Sequence, residues 1–323
     1  MDWMSSGAAD PVSSWTGVPR LAAALALTLG VLLATPAPVA AQRADVPRTL
    51  WGVPDLSGYW EYRTTTPLQR PHEFRNKARL TAEEVAEYLP QRLADIGHER
   101  NLQLNADWWE PGDLTDGRTS LIVDPPDGRL PARTEAALQR NRTLGLASRL
   151  RSADGPEDRE RYERCMMGRT VPLLAVAPNR LAQFFQNQDH VILLHEMKSD
   201  LRIIPIDGPA RPADSLRQWS GRSRGRWEGD TLVVETTHLN GAWTFSGSGA
   251  NMHVVERFTR TPDGIDFEFT VTDPESFAAP WTVTFPITPA GGPLFENACH
   301  EGNYSMPLIL TGARAEERRA AGR

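Results

Sequence analysis

The chain has 323 residues, 35 Lys and Arg against 41 Asp and Glu, and a formal net charge of -6 at pH 7. Such mild acidity leaves no basic excess for nucleic acid, and this length fits one large β domain with accessory helices or two small domains. The 2 cysteines, Cys165 and Cys299, lie far apart and outside any CxxC pair, which argues against a structural zinc site.

The first element is Arg20 followed by LAAALALTLGVLLATPAPVAA. One positive charge, an apolar run over residues 21–34 and small residues ending at Ala41 are the layout of a secretory signal covering residues 1–41. The run is shorter than the roughly 20 apolar residues a transmembrane helix needs. The expectation is a periplasmic or secreted protein with no stable membrane span after cleavage. Removal of residues 1–41 takes away Asp2, Asp10 and Arg20, which leaves about 280 residues with a charge near -5. In an oxidising compartment Cys165 and Cys299 are expected to pair, the alternative being two buried thiols.

Residues 42–118 read as a strand, helix and loop segment packing on a core. DLSGYWEY (55–62) is its strand, since aromatic residues cluster just after the Ser57-Gly58 turn pair. TAEE (81–84) is a capping box, with Thr81 as N-cap, opening a helix that Pro90 is expected to break or kink. Trp108, Trp109 and Pro111 suggest a packed loop. Residues 119–317 read as the β core, with a helical insertion at 131–164 and a tail at 318–323. SLIVDPPDGRLP is a short strand ended by a Pro-Asp-Gly turn. Residues 131–150 and 156–164 are charged and alanine-rich, and read as helical.

From Leu181 the hydrophobic period switches to two. Strands are expected at 181–186, 191–197, 201–206, 231–238, 253–260, 265–272, 281–287 and 294–300, with a hairpin at the Thr261-Pro-Asp-Gly264 turn. The fold class is therefore mainly β: an antiparallel barrel or sandwich, lipocalin- or calycin-like, with N-terminal helical insertions. In the 253–260 strand, Val254, Glu256, Phe258 and Arg260 share a face. That mixture of charge with Val and Phe suits either a cavity wall or an edge strand.

The densest polar segment is WSGRSRGRWEGD (219–230). Its glycines free the backbone, and Arg222, Arg224 and Arg226 offer fork-shaped donors for a carboxylate or phosphate. It reads as an anion- or carbohydrate-facing loop at the barrel rim, or as a turn whose tryptophans plug the barrel end. Gly221-Arg-Ser223-Arg-Gly225 matches GxSxG, but the β run that follows is not the helix a nucleophile elbow requires. HEMKS (195–199) lacks the second histidine of HExxH. On strands, neighbouring His and Glu diverge, so an acid/base or metal site must combine residues of different strands. His195, His253 and His300 with Glu256 or Glu301 are the candidates. CHEGNYSMP (299–307) presents His300, Glu301, Asn303 and Tyr304 in one loop, or is a disulfide-anchored closing turn.

DLSGYW, SRGRWEGDTLVVETT, HVVERFTR, PWTVTFPIT, ACHEGNY and LTGARAEE together resemble a large group of uncharacterised exported bacterial proteins, over roughly residues 55–317. The most distinctive strings are WEGDTLVVET and CHEGNY. The resemblance implies export and one family-wide domain, and it carries over no catalytic residue.

The leading expectation is an exported barrel that handles a small molecule, with cofactor-independent acid/base chemistry (lyase, isomerase, hydratase or hydrolase) if it is an enzyme. No dinucleotide, P-loop or cysteine-metal signature is present, so neither a cofactor nor a resident metal is expected. His300, Glu301, His195, His253 and Glu256 are the acid/base candidates. Arg222, Arg224 and Tyr304 would orient or stabilise negative charge. The alternative is a non-catalytic binding protein for an apolar or sugar-like ligand, relying on Trp219, Trp227 and Trp243. A structural envelope protein is the second alternative.

Overall fold

The computed structural model describes residues 45–99, 112–150, 153–159, 163–166, 171–175, 180–208, 213, 215–241 and 245–322. They belong to the unit Ala44–Arg323. The signal stretch 1–41, and with it Trp108, Trp109 and Trp243, lies outside them.

Among the described residues ten strands form one sheet: β1 Gly58–Glu61, β2 Ile122–Asp124, β3 Leu181–Gln186, β4 His190–His195, β5 Asp200–Pro205, β6 Arg222–Glu228, β7 Thr231–Thr237, β8 His253–Arg260, β9 Ile265–Thr272 and β10 Trp281–Pro289. The spatial order is β5-β4-β3-β1-β10-β9-β8-β7-β6, with β2 laid on β10. The two ends of this series meet at a single parallel bridge, Ile206 to Gly225, so the sheet nearly closes into a barrel. A barrel is thus realised rather than a sandwich. The expected N-terminal segment supplies a strand of the ring itself, because β1 pairs with β3 on one side and β10 on the other.

Alternation fills the interior. Phe184, Phe258, Phe267 and Phe285 point inward from β3, β8, β9 and β10, with ring centroids 5.8, 4.6 and 4.9 Å apart in succession. Aromatic pairs at these spacings stabilise beyond their buried area. Trp60 joins them from β1 at 6.4 Å from Phe184 and donates its indole N–H to the Leu56 carbonyl at 2.7 Å.

Helix α1 (Ala82–Glu99) begins at the expected capping box: Thr81 N–H reaches Glu84 Oε2 at 2.8 Å and Glu84 N–H reaches Thr81 Oγ1 at 3.3 Å. It continues through Pro90 instead of ending there. Helix α2 (Glu135–Leu150) matches the helical insertion, whereas within 156–164 the described residues hold only a 3-10 turn, Pro156–Asp158. Residues 294–300 form no strand, and helix α3 (Ser305–Ala320) occupies a stretch read as core and tail. No helix among the described residues is long and apolar enough to cross a membrane. Cys165 and Cys299 are joined by a disulfide, with Cα atoms 5.6 Å apart.

Candidate functional site

Because neighbouring strands alternate in direction, the starts of β3, β5, β6, β8 and β10 and the ends of β1, β4, β7 and β9 lie at one end of the barrel. Polar inward positions gather there. Arg202 on β5 and Glu256 on β8 form a buried bidentate ion pair at 2.5 and 3.0 Å. Arg202 also donates to Ser223 Oγ at 3.0 Å and Thr236 Oγ1 at 2.9 Å, and those two hydroxyls are 2.9 Å apart. The backbone N–H of Leu173 donates to Glu256 Oε1 at 3.0 Å, so the segment Val171–Ala175 covers the network. Two charges removed from water need this many partners, since a buried ion left with only one would cost several kcal/mol.

His195, the last residue of β4, belongs to the same end. Its Nδ1 shares a 2.9 Å hydrogen bond with the Tyr62 hydroxyl, and its Nε2 is buried with no hydrogen-bond partner among the described residues. Burial first, and then the positive charges of Arg202 and Arg180, pull its pKa down to about 3. The ring is therefore neutral at ordinary pH.

The five acid/base candidates occupy three places. His195 and Glu256 share the interior around Arg202. His253, at the start of β8, lines a small outer pocket with His238 and Arg217. His300 and Glu301 are exposed in the loop before α3, and Tyr304 is 71 % exposed beside them. What holds that loop is the Cys165–Cys299 bridge and Asn303, whose Nδ2 donates to the Glu163 carbonyl at 3.2 Å. Among the described residues, no three His, Cys, Asp or Glu side chains are grouped to hold a metal ion.

The segment 219–230 is not a rim loop: residues from Arg222 onward are strand β6, paired along its length with β7. The pleat turns Ser223, Gly225 and Trp227 inward, and Arg222, Arg224 and Arg226 outward into solvent. Arg226 there pairs with Glu228 and Glu235 at 2.8 and 2.7 Å. Trp227 packs against the hydrophobic core and Trp219 is half-buried, so neither offers an open stacking face. Ser223 is a buried partner of Arg202, not an exposed nucleophile.

A surface groove of about 350 Å³ lies elsewhere, on the outer face of β8, β9 and β10 beside the 3-10 turn Thr115–Gly117. Asp116, Arg118, Arg257, Asp266, Glu268 and Thr284 line it. Arg118 is fixed by Asp116 at 2.8 Å and by Thr284 Oγ1 at 2.7 Å, and Arg257 by Glu228 at 3.0 Å. Asp266 and Glu268 have no ion-pair or hydrogen-bond partner among the described residues. Sequence reading missed these residues because alternation marks only which face of a strand is wet; it does not show which wet positions are brought together by β8, β9, β10 and a distant turn. Compared with known proteins, the chain matches no family model, no curated protein and no solved structure.

Proposed function

We propose that the protein is an exported, non-catalytic β-barrel that binds a small hydroxyl-rich, sugar-like molecule in the groove across β8, β9 and β10. Export is supported by the signal layout of residues 1–41 and by the Cys165–Cys299 disulfide, a bond that persists in oxidising compartments. The observation that carries the binding reading is the pair of unpartnered carboxylates, Asp266 and Glu268, set opposite the anchored guanidinium groups of Arg118 and Arg257. Vicinal hydroxyls both donate and accept, so alternating carboxylate and guanidinium groups match them better than they match an apolar or singly charged ligand. The size is within the range of small-molecule sites. Calorimetric titration with a panel of mono- and disaccharides tests this. Binding that weakens about tenfold or more in Glu268→Gln, with Tm unchanged, is the expected result; no heat from any polyol at millimolar concentration overturns it.

A second reading, cofactor-independent acid/base chemistry, rests on His195 and Glu256 flanking Arg202 beneath Val171–Ala175. It requires that segment to open. A substrate turned over by the wild type and not by His195→Gln, with the groove variant unaffected, would favour it.

A further inference from the structure

At the same barrel end, on the β9–β10 side, the loop Phe245–Met252 is held by three charged side chains. Arg133 donates to the Ser246 carbonyl at 2.7 Å, Arg140 to the Gly247 carbonyl at 3.0 Å, and Asp273 Oδ2 accepts from the Gly249 N–H at 2.6 Å. Arg140 also donates to Ser276 Oγ at 2.7 Å. The loop backbone is pressed close to this group: Gly247 has φ +81, and a Cβ placed on it would stand 2.2 Å from Arg133 Nη1. Phe277 lies under the Arg133 guanidinium at 5.1 Å and touches Trp281 edge-on at 6.0 Å, and Trp281 stacks on Phe245 at 5.7 Å.

Around this loop, five buried polar atoms have no hydrogen-bond partner among the described residues: Arg133 Nη1, Arg140 Nε, Ser248 Oγ, Trp281 Nε1 and Asp273 Oδ1. Ser248, Asp273 and Trp281 are 0, 2 and 0 % exposed. A native interior satisfies nearly all such atoms, and each one left unmade costs about 1–3 kcal/mol. Four of the five are donors. Among the described residues the two guanidinium groups have no carboxylate within ion-pair distance, Asp273 included, so this cluster carries two cations against one anion.

We infer that this knot is a binding site for a small monovalent anion, held by Arg133, Arg140, Ser248 and Trp281 beneath the Ser246–Gly249 loop. One negative charge balances the excess, and acceptor lone pairs meet the orphaned donors with charge-assisted hydrogen bonds. The close packing of Gly247 on Arg133 selects a small ion, because a large hydrated one would have to shed its water without enough replacement partners. This site is separate from the groove, and either one can fail without the other.

The probes are bromide and chloride. A crystal soaked in bromide is expected to show an anomalous peak within hydrogen-bonding distance of Arg133 Nη1 and Ser248 Oγ; density for water alone there overturns the proposal. In solution, exchanging gluconate for chloride at constant ionic strength should raise Tm by a few degrees and then saturate. Ser248→Ala removes a hydroxyl with no hydrogen-bond partner among the described residues, so it should fold with at least the wild-type Tm in gluconate and lose most of the chloride response. A wild type with no chloride response, or a Ser248→Ala variant that responds fully, overturns the proposal.

Discussion

His195 is the residue whose chemistry the barrel changes most. Its pKa is near 3 in the fold, against about 6.5 for histidine in an unfolded chain. Between those values the unfolded chain takes up a proton that the folded one refuses. The stability linked to neutral His195 is therefore complete above about pH 6.5 and lost as pH falls towards 3, at up to about 1.4 kcal/mol per pH unit. Denaturant titrations at pH 7 and 4.5 should show wild type losing roughly 2 kcal/mol more over that interval than His195→Gln; parallel losses would assign the acid sensitivity to other groups. Arg202 and Glu256 make a second test. Arg202→Met leaves the Glu256 carboxylate buried without its cation and should cost about 3–5 kcal/mol, whereas adding Glu256→Leu to it should recover a large part of that loss. Urea midpoints of the two variants measure the difference.

How far these residues were legible differs from one to the next. Glu256 stood out in part, because a carboxylate alternating with Val254 and Phe258 is either inside a barrel or on an edge, and the sequence alone left both open. Arg202 was hidden. In LRIIP the apolar Leu201 and Ile203 look like the core face, yet they are 54 and 53 % exposed while Arg202 is 4 % exposed. The pairing register decides which face turns inward, and the partner that makes an inward arginine tolerable lies 54 residues away. The five-atom knot around Arg133 and Asp273 was equally silent, since it depends on loops that meet only after the barrel forms.

Among the elements, the seam between β5 and β6 is the weakest joint. Among the described residues a single backbone bridge, Ile206 to Gly225, joins them, with Asp207 N–H donating to the Gly225 carbonyl at 2.9 Å and the buried Arg202–Ser223 bond beside it. Gly225 is there because a Cβ would meet Ile206 at 2.9 Å, Ile204 at 3.0 Å and Leu232 at 3.1 Å. Gly225→Val should cost about 1–3 kcal/mol by overpacking, and should speed hydrogen exchange at Asp207 ahead of the paired strands. Exchange at Asp207 that matches wild type would mean that the seam repacks. The other weak attachment is the C-terminal loop and α3, a helix with no buried residue. The disulfide ties it back across 134 residues of chain. In the chain-entropy account a loop of that order is worth about 4–5 kcal/mol, so the double variant Cys165→Ser, Cys299→Ser should lose most of that in denaturant unfolding. Segments 163–166 and 295–304 should lose exchange protection first. Helix α3 escaped sequence reading because Leu308 and its neighbours look like the continuation of a strand-rich region, and an exposed helix bears only a faint amphipathic pattern.

For the molecule as a whole, an odd ring has a necessary consequence. Nine strands alternating in direction cannot close with antiparallel pairs alone, so one neighbouring pair must run the same way. That pair is β5–β6, and a parallel neighbour needs a long crossover, which residues 207–221 supply. Seven of the strands from β3 to β10 were readable from period-two alternation and turn residues, and β6 was not, because its glycines and arginines look like a loop. The ninth strand was visible as a strand but not as a member of the ring, because nothing in GYWE says which distant edges it will join.

Its position in the ring has a further effect on a chain that emerges N-terminus first. β1 is the earliest of the described strands to be made, yet Trp60 and Glu61 pair with Pro289 and Thr288 of the latest. Until β10 is out, β1 has no second neighbour and the ring cannot shut. The molecule therefore fastens its first described strand with its last, and its ring shuts only once residue 289 has been made.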